Sequence, residues 1–574
     1  MDQLTEQNYN SWLHSTYIDK EDRAELKSIE NNKHEIEDRF YTNLSFGTAG
    51  MRGIRGIGTN RINKYTIRKA TQGLANYILK CTNNKCKEMG VAIAYDCRIG
   101  SEEYALNSAL VLAGNGIKAY LFKSLRSTPE LSFAVRELKT TAGIVITASH
   151  NPQEYNGYKL YWNDGCQIIE PQASGIVNEV NSIASFEDIK LISEEDAISK
   201  NLLIYIDESI DTKFLEAVKT QAINIDIPNK ENFKIVYSPL HGTGGRPIKR
   251  VFSEMGFNSI FVVPEQEKPD GNFPTCSYAN PEDPSVFKLS IELAEKVGAT
   301  ICMANDPDAD RIGVAVKDDY NNWIYPNGNQ IGLLLMNYIL ENKKNIPKNS
   351  AVVSTVVSTP MLDVICVNKG VKIFRTLTGF KYIGEKIRQF EEGIYDATFL
   401  MGFEESYGYL VGTHARDKDA VVSTLLIAEM AAFYAAKNTS IPTELDKLYK
   451  KCGFYREGII AITKEGKEGV EEISNTMTKL RNGNFETLFG KKILIKKDFE
   501  TRKEINYSTK NISDIDLPKS NIIQFILEDN TYITARPSGT EPKIKYYFCV
   551  TAEDSETADK KLAETMKEFK SFVE

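Results

Sequence analysis

The sequence G-I-V-I-T-A-S-H-N-P (residues 143–152) joins a run of aliphatic residues to a polar loop. A short aliphatic run without polar alternation is typical of a β-strand that is buried on both faces. The loop therefore begins where a buried strand ends, and it carries Ser149 beside His150. In open α/β sheets, ligands bind outside the carboxyl ends of the strands. The stretch thus indicates an α/β fold with a polar site at the edge of the sheet.

Two later stretches repeat this plan of a strand followed by an unusual polar loop, namely A-T-I-C-M-A-N-D-P-D-A-D-R (299–311) and A-T-F-L-M-G-F-E-E-S-Y-G (397–408). Each of the three comes after a segment that reads strand, helix, glycine, strand. Glycine is the expected cap after a helix, and alternating strands and helices predict βαβ units with parallel sheets. The paired strands are predicted at residues 91–96 and 117–122, 233–238 and 257–263, and 351–357 and 371–376.

The C-terminal stretch follows a different plan, in which the loop R-P-S-G-T-E-P-K (536–543) lies between the strands I-T-A (533–535) and I-K-Y-Y-F-C-V. A chain of 574 residues is long enough for about four domains. We therefore predict three related α/β domains with mixed or parallel sheets, followed by a C-terminal α+β domain. The predicted domains are residues 1–206, 207–324, 325–446 and 447–574.

Composition excludes several classes of protein. With 42% hydrophobic and 26% charged residues the chain is typical of soluble globular proteins, and its net charge of −8 argues against a nucleic-acid partner. Nine cysteines without a C-x-x-C pair indicate reduced thiols, and the polar N-terminus is no signal peptide. The longest apolar passage (420–436) contains Glu429 and has the length of a buried helix. We expect a cytoplasmic protein without a membrane partner; its oligomeric state is not predicted.

The turn D-P-D-A-D-R places Asp306, Asp308 and Asp310 at alternating positions. Three close carboxylates repel one another unless a cation lies between them, and oxygen ligands suit Mg²⁺ or Ca²⁺. The turn is no EF-hand, because its sixth position is Arg311 and its twelfth is Lys317. A solvated acidic turn is the alternative, which the preceding apolar strand disfavours.

Three further loops offer weaker signals. R-P-S-G-T-E-P-K combines a guanidinium, hydroxyls and glycine-freed N–H groups, a set suited to phosphate, although an ordinary turn is the alternative. G-F-E-E-S-Y-G offers carboxylates and a hydroxyl that suit sugar hydroxyls, but taken alone it is more typical of a surface turn. G-T-A-G-M-R-G (47–53) offers Arg52 as a phosphate-binding cation, or is a glycine-rich turn between helices.

Ser149 has three interpretations: an ordinary turn residue, a hydrolase nucleophile or a phosphoryl carrier. The hydrolase interpretation lacks a G-x-S-x-G motif, and His150 would point to the opposite side of an extended chain. A phosphoryl carrier needs a cation, a basic side chain and a second anion site. The acidic turn, Lys159 or Lys381, and the Arg536 loop supply these parts, so the carrier is the favoured interpretation.

Taken together and in this order, T-A-S-H-N-P, D-P-D-A-D-R, G-F-E-E-S-Y-G and R-P-S-G-T-E-P resemble the motifs of the α-D-phosphohexomutases of the phosphoglucomutase/phosphomannomutase type. The resemblance extends from about Phe46 to the C-terminus. It implies four domains around a central cleft, one Mg²⁺ per chain and phosphosugar substrates. It also implies an intramolecular phosphotransferase, an isomerase of carbohydrate metabolism, that works through a phosphoserine and a bisphosphorylated sugar.

The resemblance also implies roles for individual residues. Ser149 would be the phosphoserine and, with the three aspartates of the acidic turn, a ligand of Mg²⁺. Lys159 would be the general acid/base, with Arg52 steadying the transferring phosphoryl group. The residues expected to bind substrate are Arg311, Thr378, Lys381, Glu404, Ser406, Lys418, Arg536, Ser538, Gly539 and Thr540.

The expected reaction interconverts α-D-glucose 1-phosphate and glucose 6-phosphate, with glucose 1,6-bisphosphate as intermediate and activator. G-T-A-G-M-R-G departs from other branches of the family in having alanine where they have serine. This departure leaves phosphomannomutase, phosphopentomutase and glucose 1,6-bisphosphate synthase activities open as alternatives.

Overall fold

Within the described residues, four β-sheets follow one another along the chain, and they define domains I to IV. The structure, a computed structural model, describes residues 2–47, 50–81, 85–464, 466–483, 485–538 and 543–573. Domains I to III have mixed sheets covered by helices, and domain IV is built on an antiparallel sheet with two long helices. This architecture confirms the predicted fold class.

Domain I has the strand order β1-β5-β4-β2-β3-β6, in which β1 and β5 run antiparallel to their neighbours. β2 and β4 are buried along their whole length, as their continuous apolar sequences predicted. Its strands are β1 (Gly50–Ile54), β2 (Val91–Tyr95), β3 (Ala119–Phe122), β4 (Ala142–Ile146), β5 (Tyr155–Trp162) and β6 (Leu203–Ile206). Its helices are α1 (Gln3–His14), α2 (Lys20–Ser28), α3 (Lys33–Phe40), α4 (Lys64–Cys81), α5 (Cys86–Met89), α6 (Ser101–Gly114), α7 (Thr128–Glu137), α8 (Gln172–Ser182) and α9 (Glu194–Ser199).

Domain II has the strand order β11-β10-β9-β7-β8, with β10 antiparallel to β9. Its strands are β7 (Ile235–Ser238), β8 (Ile260–Val262), β9 (Ile301–Asn305), β10 (Ile312–Lys317) and β11 (Trp323–Ile324). Its helices are α10 (Ser209–Lys219), α11 (Gly245–Glu254), α12 (Pro264–Glu267) and α13 (Lys288–Val297).

Domain III has the strand order β13-β12-β14-β15, with β15 antiparallel to β14. Its strands are β12 (Ser350–Thr355), β13 (Lys372–Thr376), β14 (Thr398–Glu404) and β15 (Gly408–Val411). Its helices are α14 (Gly328–Asn342), α15 (Met361–Lys369), α16 (Phe380–Glu391), α17 (Ala420–Ala436) and α18 (Ile441–Cys452).

Domain IV has the strand order β16-β23-β22-β21-β18-β19-β20, and a short strand pairs separately with β18. Its strands are β16 (Phe454–Thr463), β17 (Thr487–Leu488), β18 (Lys491–Asp498), β19 (Lys503–Asn506), β20 (Asn511–Asp514), β21 (Ile523–Leu527), β22 (Tyr532–Pro537) and β23 (Lys543–Ala552). Its helices are α19 (Gly466–Asn482) and α20 (Ser555–Val573).

The first three sheets share one topology. In each, two parallel strands joined through a helix lie beside a third parallel strand, and the chain then turns back into an antiparallel fourth strand. The third strands are β4, β9 and β14, which are the strands predicted to precede the unusual loops. The repeat predicted from the sequence is therefore present, and each unusual loop is the turn that reverses the chain at the same edge of its sheet.

The predicted division between residues 446 and 447 falls inside α18, whereas the sheet of domain IV begins at Phe454. The helix packs on α14 and α15 of domain III, so it continues that domain. By contrast, β6 ends at Ile206 and β11 at Ile324, next to the other two predicted divisions.

Domains II and III share one hydrophobic core that is centred on α17. This helix is apolar on all sides and is buried along nearly its whole length, as expected for a helix inside a core. No single helix in the described parts of the chain is long and apolar enough to cross a bilayer. Only α17 and α18 taken together, with a bend of 88° between them, have that length and composition.

The buried carboxylate of Glu429 on α17 joins the two domains. It accepts hydrogen bonds from the backbone N–H groups of Ile223 and Asn224, at 3.0 and 2.8 Å, and from the Tyr338 hydroxyl at 2.6 Å. Burial raises the pKa of Glu429, and these donors oppose that rise. A buried polar group is tolerated when its hydrogen bonds are satisfied, as they are here.

Replacing this carboxylate should loosen the junction between domains II and III. We expect Glu429→Leu to lower the free energy of unfolding by about 2–4 kcal/mol, because three buried donors lose their acceptor. Urea unfolding monitored by circular dichroism measures the change. Glu292→Leu, at an exposed position of α13, is the surface control, and equal unfolding midpoints for the two variants would contradict the role of Glu429.

Candidate active site

The turns that follow β4, β9 and β14 each contain a residue other than glycine in the left-handed backbone region. Ser149 has a φ of 52°, Ala309 of 51° and Tyr407 of 62°. This conformation is unfavourable for residues with a Cβ atom, and it persists where surrounding contacts fix the backbone. The three domains therefore hold equivalent, locally strained turns at the same edge of their sheets.

The serine turn of domain I is fixed by two buried polar groups. Thr147 Oγ1 accepts a hydrogen bond from the Ser149 N–H at 2.8 Å and donates to Asp96 at 2.6 Å. The guanidinium of Arg98 donates to the backbone carbonyls of Ser149 and Pro152, at 2.6 and 2.8 Å, and to those of residues 151 and 155. These contacts hold Ser149 in its left-handed conformation.

Ser149 contacts the acidic turn of domain II directly. Its hydroxyl donates to Asp306 Oδ2 at 2.9 Å, and the serine is 2% exposed. The expectation that His150 points away from Ser149 was wrong, because Ser149 Oγ and His150 Nδ1 lie 3.5 Å apart. The left-handed backbone at Ser149 turns both side chains to one side, which an extended chain does not do. Burial and then Arg311 and Arg52 lower the pKa of His150 well below its usual value, so the imidazole is neutral.

The acidic turn is buried rather than solvated. Asp306, Asp308 and Asp310 are at most 1% exposed, and they offer carboxylate oxygens within 4.8 Å of one another. Asp308 Oδ1 and Asp310 Oδ1 have no hydrogen-bond partner among the described residues. Buried oxygens of this kind fit a divalent cation that takes oxygen ligands, so the donor set is a candidate metal site.

Cations from domains I and III surround these carboxylates. Lys159 Nζ lies 2.7 Å from Asp308 Oδ2 and 3.3 Å from Asp310 Oδ2, and Lys418 Nζ lies 3.1 Å from Asp310 Oδ2. Burial opposes ionisation of Lys159, but the two aspartates outweigh it and raise its pKa, so the amine is protonated. Burial would also raise the pKa of Asp310, yet Lys418, Lys159 and Arg311 hold that pKa below its usual range.

Two arginines flank the serine and acidic turns. Arg52 on β1 is exposed and donates to Asn151 Oδ1 at 2.8 Å, and it borders a cavity of about 660 Å³ that Lys159 also lines. Arg311 pairs with Glu282 at 2.5 Å and lies 3.7 Å from Asp310. Both guanidinium groups therefore stand beside Ser149 and the candidate metal site.

The third turn places Glu404 and Ser406 in domain III. Glu404 is buried and accepts a hydrogen bond from the Gly379 N–H at 2.7 Å, which ties it to the segment where Thr378 precedes α16 and its first turn with Lys381. Ser406 and Thr378 are half-buried. The Lys381 ammonium lies 5.1 Å from the centroid of the Tyr382 ring, and burial lowers its pKa. The turn that carries Glu404 and the segment that carries Thr378, which were predicted separately, therefore lie next to each other.

Arg536 lies at the end of β22 in domain IV, and its guanidinium donates to the Tyr547 hydroxyl at 3.4 Å. The positive charge of Arg536 opposes the rise in the pKa of the Glu405 carboxyl in domain III. The Ser538 N–H donates to the backbone carbonyl of Lys543 at 2.7 Å. The predicted residues Gly539 and Thr540 lie outside the described residues.

Several residues that shape the site were not found from the sequence. Arg98, Glu282 and Asp417 each contact a predicted site residue or its loop, and Asp417 accepts from Lys418 and from Tyr161, at 3.0 and 2.6 Å. The sequence D-K-D (417–419) was a usable signal for Asp417, because it alternates charges next to a predicted lysine. Arg98 and Glu282 had no comparable local signal, since Ser149 and Arg311, which they contact, lie 51 and 29 residues away from them.

Comparison with known proteins gives a consistent result. Residues 43–187, 212–319 and 327–452 match, respectively, the alpha/beta/alpha domains I, II and III of the phosphoglucomutase/phosphomannomutase family. The chain belongs to this family. The acidic turn and the serine turn lie within the matched regions, whereas Arg536 lies beyond them.

Relatives and solved structures extend the likeness to nearly the whole chain. A phosphoglucomutase of Staphylococcus epidermidis is 35% identical over 555 residues, covering 96% of this chain and 99% of the relative, and one of Staphylococcus aureus is 36% identical over 551 residues, covering 95% and 97%. Two crystal structures share the fold. A putative phosphomannomutase from Thermus thermophilus has a TM-score of 0.67 at 20% identity, covering 93% of this chain and 99% of that one. Parafusin, a phosphoglucomutase from Paramecium, has a TM-score of 0.66 at 18% identity, covering 92% and 95%.

Glu405 gives the site a testable pH dependence. Burial and then the neighbouring Glu404 raise the pKa of Glu405 to about 7, although Arg536 and Lys545 oppose this rise. A carboxyl whose pKa is raised by folding binds its proton more tightly in the folded state. Its contribution to stability is therefore complete below the usual glutamate pKa of 4.5 and is lost as the pH rises through about 7.

We expect Glu405→Gln to stabilise the protein at pH 8 by about 1–3 kcal/mol and to leave it nearly unchanged at pH 5, since one pKa unit corresponds to about 1.4 kcal/mol. Urea unfolding midpoints at the two pH values measure the difference. Glu553→Gln, at an exposed position, is the control. A parallel shift of the Glu405→Gln midpoints at both pH values would contradict the assignment.

Proposed function

We propose that this protein is a phosphoglucomutase that interconverts α-D-glucose 1-phosphate and glucose 6-phosphate, and that Ser149 carries the phosphoryl group. The observation that carries this proposal is the hydrogen bond from Ser149 Oγ to Asp306 in the buried acidic turn. It joins a hydroxyl that can bear a phosphoryl group to the carboxylates that fit a cation. The near full-length similarity to phosphoglucomutases supports glucose phosphates as substrates.

Transfer exchanges one oxygen–phosphorus bond for another. The bond between phosphorus and Ser149 Oγ breaks while the free hydroxyl of the sugar phosphate forms a new bond to phosphorus, which gives glucose 1,6-bisphosphate. The net proton movement is from the sugar hydroxyl to Ser149 Oγ. Lys159, which is protonated beside Asp308 and Asp310, can give its proton to the leaving oxygen and take up the proton of the hydroxyl.

Mg²⁺ would be held by Asp306, Asp308, Asp310 and an oxygen of the Ser149 phosphate. Its charge would offset the negative charge of the transferring phosphoryl group. Arg52 and Arg311 add positive charge on either side of Ser149, and Arg311 can turn to the substrate by leaving Glu282.

The remaining predicted residues suit the two ends of the sugar phosphate. Glu404 and Ser406, with Thr378 and Lys381 beside them, offer acceptors and donors for sugar hydroxyls. Arg536 and the loop that begins at Ser538 suit the phosphate that is not reacting, while Lys418 of domain III lies 3.1 Å from Asp310 of the acidic turn. The bisphosphate must reverse its orientation between the two transfers. The loop that begins at Ser538 must therefore accept either of its phosphates.

A coupled assay with the 1-phosphates of glucose, mannose and ribose tests the proposed substrate. We expect glucose 1-phosphate to be turned over fastest and glucose 1,6-bisphosphate to activate the reaction. Faster turnover of mannose 1-phosphate or ribose 1-phosphate would show that the glucose phosphates are not the preferred substrates. Net formation of the bisphosphate from another phosphoryl donor would indicate a synthase.

Ser149→Ala removes the proposed phosphoryl carrier. We expect turnover to fall at least about 10⁴-fold, because the nucleophile of the covalent route is lost. We also expect mass spectrometry to detect a phosphopeptide that contains Ser149 in the unchanged protein and to detect none in the variant. Ser174→Ala, at an exposed serine of α8, is the control and should keep both. Full activity of the Ser149→Ala protein would disprove the mechanism.

Arg536→Ala tests the phosphate-binding role of domain IV. We expect KM to rise about tenfold or more for glucose 1-phosphate and glucose 6-phosphate alike, because a charge-assisted contact worth about 1.5–3 kcal/mol is lost. Arg536→Lys should restore part of the affinity, since an ammonium cannot reproduce the bidentate guanidinium. Steady-state kinetics in both directions provide the comparison. A defect with only one of the two substrates would show that Arg536 recognises one orientation of the sugar.

A further inference from the structure

The first turn of α7 in domain I contacts the acidic turn of domain II. The Thr128 N–H donates to the backbone carbonyl of Asp308 at 2.9 Å, and Thr128 Oγ1 donates to Asp308 Oδ2 at 2.7 Å. Thr128 is fully buried, and Ser127 caps the helix immediately before it. One threonine therefore fixes both the backbone and the carboxylate of a candidate metal ligand in another domain.

The two oxygens of Asp308 have different surroundings. Oδ2 accepts from Thr128 and from Lys159, each at 2.7 Å, whereas Oδ1 is buried without a hydrogen-bond partner among the described residues. We propose that Thr128 is a positioning residue, which presents Asp308 Oδ1 to a divalent cation by holding Oδ2. The inference rests on the proposed role of the acidic turn as the metal site.

Thr128 suits this task better than Lys159 does. The Lys159 ammonium is shared with Asp310 and is the group proposed to exchange protons with the substrate, so its contact with Asp308 cannot stay fixed through the reaction. A threonine hydroxyl is neutral, so it orients the carboxylate without cancelling the charge that binds the cation. Hydrogen bonds of this kind to metal ligands commonly change metal affinity by about 10- to 100-fold.

Isothermal titration with Mn²⁺ on the unphosphorylated full-length protein measures this effect without any turnover. Thr128→Val keeps the shape of the side chain and the backbone N–H but removes the hydroxyl. We expect the Kd for Mn²⁺ to rise about tenfold or more, and Thr128→Ser, which keeps the hydroxyl, to stay within about threefold of the unchanged protein.

Thr243, which lies between β7 and α11 and contacts the same acidic turn, offers a matched control. It is also buried, and its N–H donates to the backbone carbonyl of Pro307 at 2.8 Å, but its hydroxyl has no hydrogen-bond partner in the described part of the chain. Thr243→Val should therefore leave the Kd for Mn²⁺ unchanged. An equal loss of affinity in the Thr128→Val and Thr243→Val proteins would mean that any buried threonine beside the turn matters, and would overturn the proposal.

The comparison of Thr128→Ala with Thr128→Ser provides a second measure if the valine variant does not fold, since these two differ only in the hydroxyl. Equal Mn²⁺ affinity in this pair, or in Thr128→Val and the unchanged protein, would overturn the positioning role of Thr128. It would leave the acidic turn as the proposed metal site. Asp308→Asn reports on the site itself and should weaken binding more than any threonine variant. If the unchanged protein binds no Mn²⁺, or binds it as well after Asp308→Asn, the acidic turn is not the metal site, and both proposals fail.

Discussion

The burial of three carboxylates on one turn is the constraint on which the rest of the site depends. Asp306, Asp308 and Asp310 are removed from water, and a group of like charges in such surroundings must be compensated by partners. Besides Arg311 of domain II itself, those partners are Ser149 and Lys159 from domain I and Lys418 from domain III. Compensation of the negative charges on the acidic turn therefore brings groups from domains I, II and III into contact where the chemistry is proposed to occur.

The shared topology of domains I to III explains why their functional groups meet. Each domain reverses its chain after the third strand of its sheet, and each reversal carries its own polar residues. Once the three sheets pack with these edges facing inward, a serine, a set of carboxylates and a sugar-binding turn become neighbours. Left-handed residues at Ser149, Ala309 and Tyr407 show that the three turns share a local geometry although they carry different chemical groups.

The domains are attached to one another to different degrees. Domains II and III share a hydrophobic core around α17, so their relative position is fixed by extensive apolar packing. Domain IV meets domain III through a smaller contact, in which Leu377, Phe499 and Ile522 form one cluster and Gln524 donates to the backbone carbonyl of Val356 at 3.0 Å. Arg536 therefore lies on domain IV, whose apolar contact with domain III is less extensive than the core that domains II and III share. The acidic turn and Glu404 lie on the two domains that share this core.

The sequence by itself determined the strands, the repeat and the polar turns, because buried strands require continuous apolar residues and because Asp306, Asp308 and Asp310 are close in the chain. The motifs that contain Ser149 and the acidic turn also indicated the family of enzymes to which the chain belongs. Only the tertiary structure decided that Ser149 meets Asp306, that His150 lies beside Ser149 rather than opposite it, and that Thr128 holds Asp308. These contacts depend on how separate sheets pack and on one left-handed residue, and neither leaves a periodic pattern in the sequence.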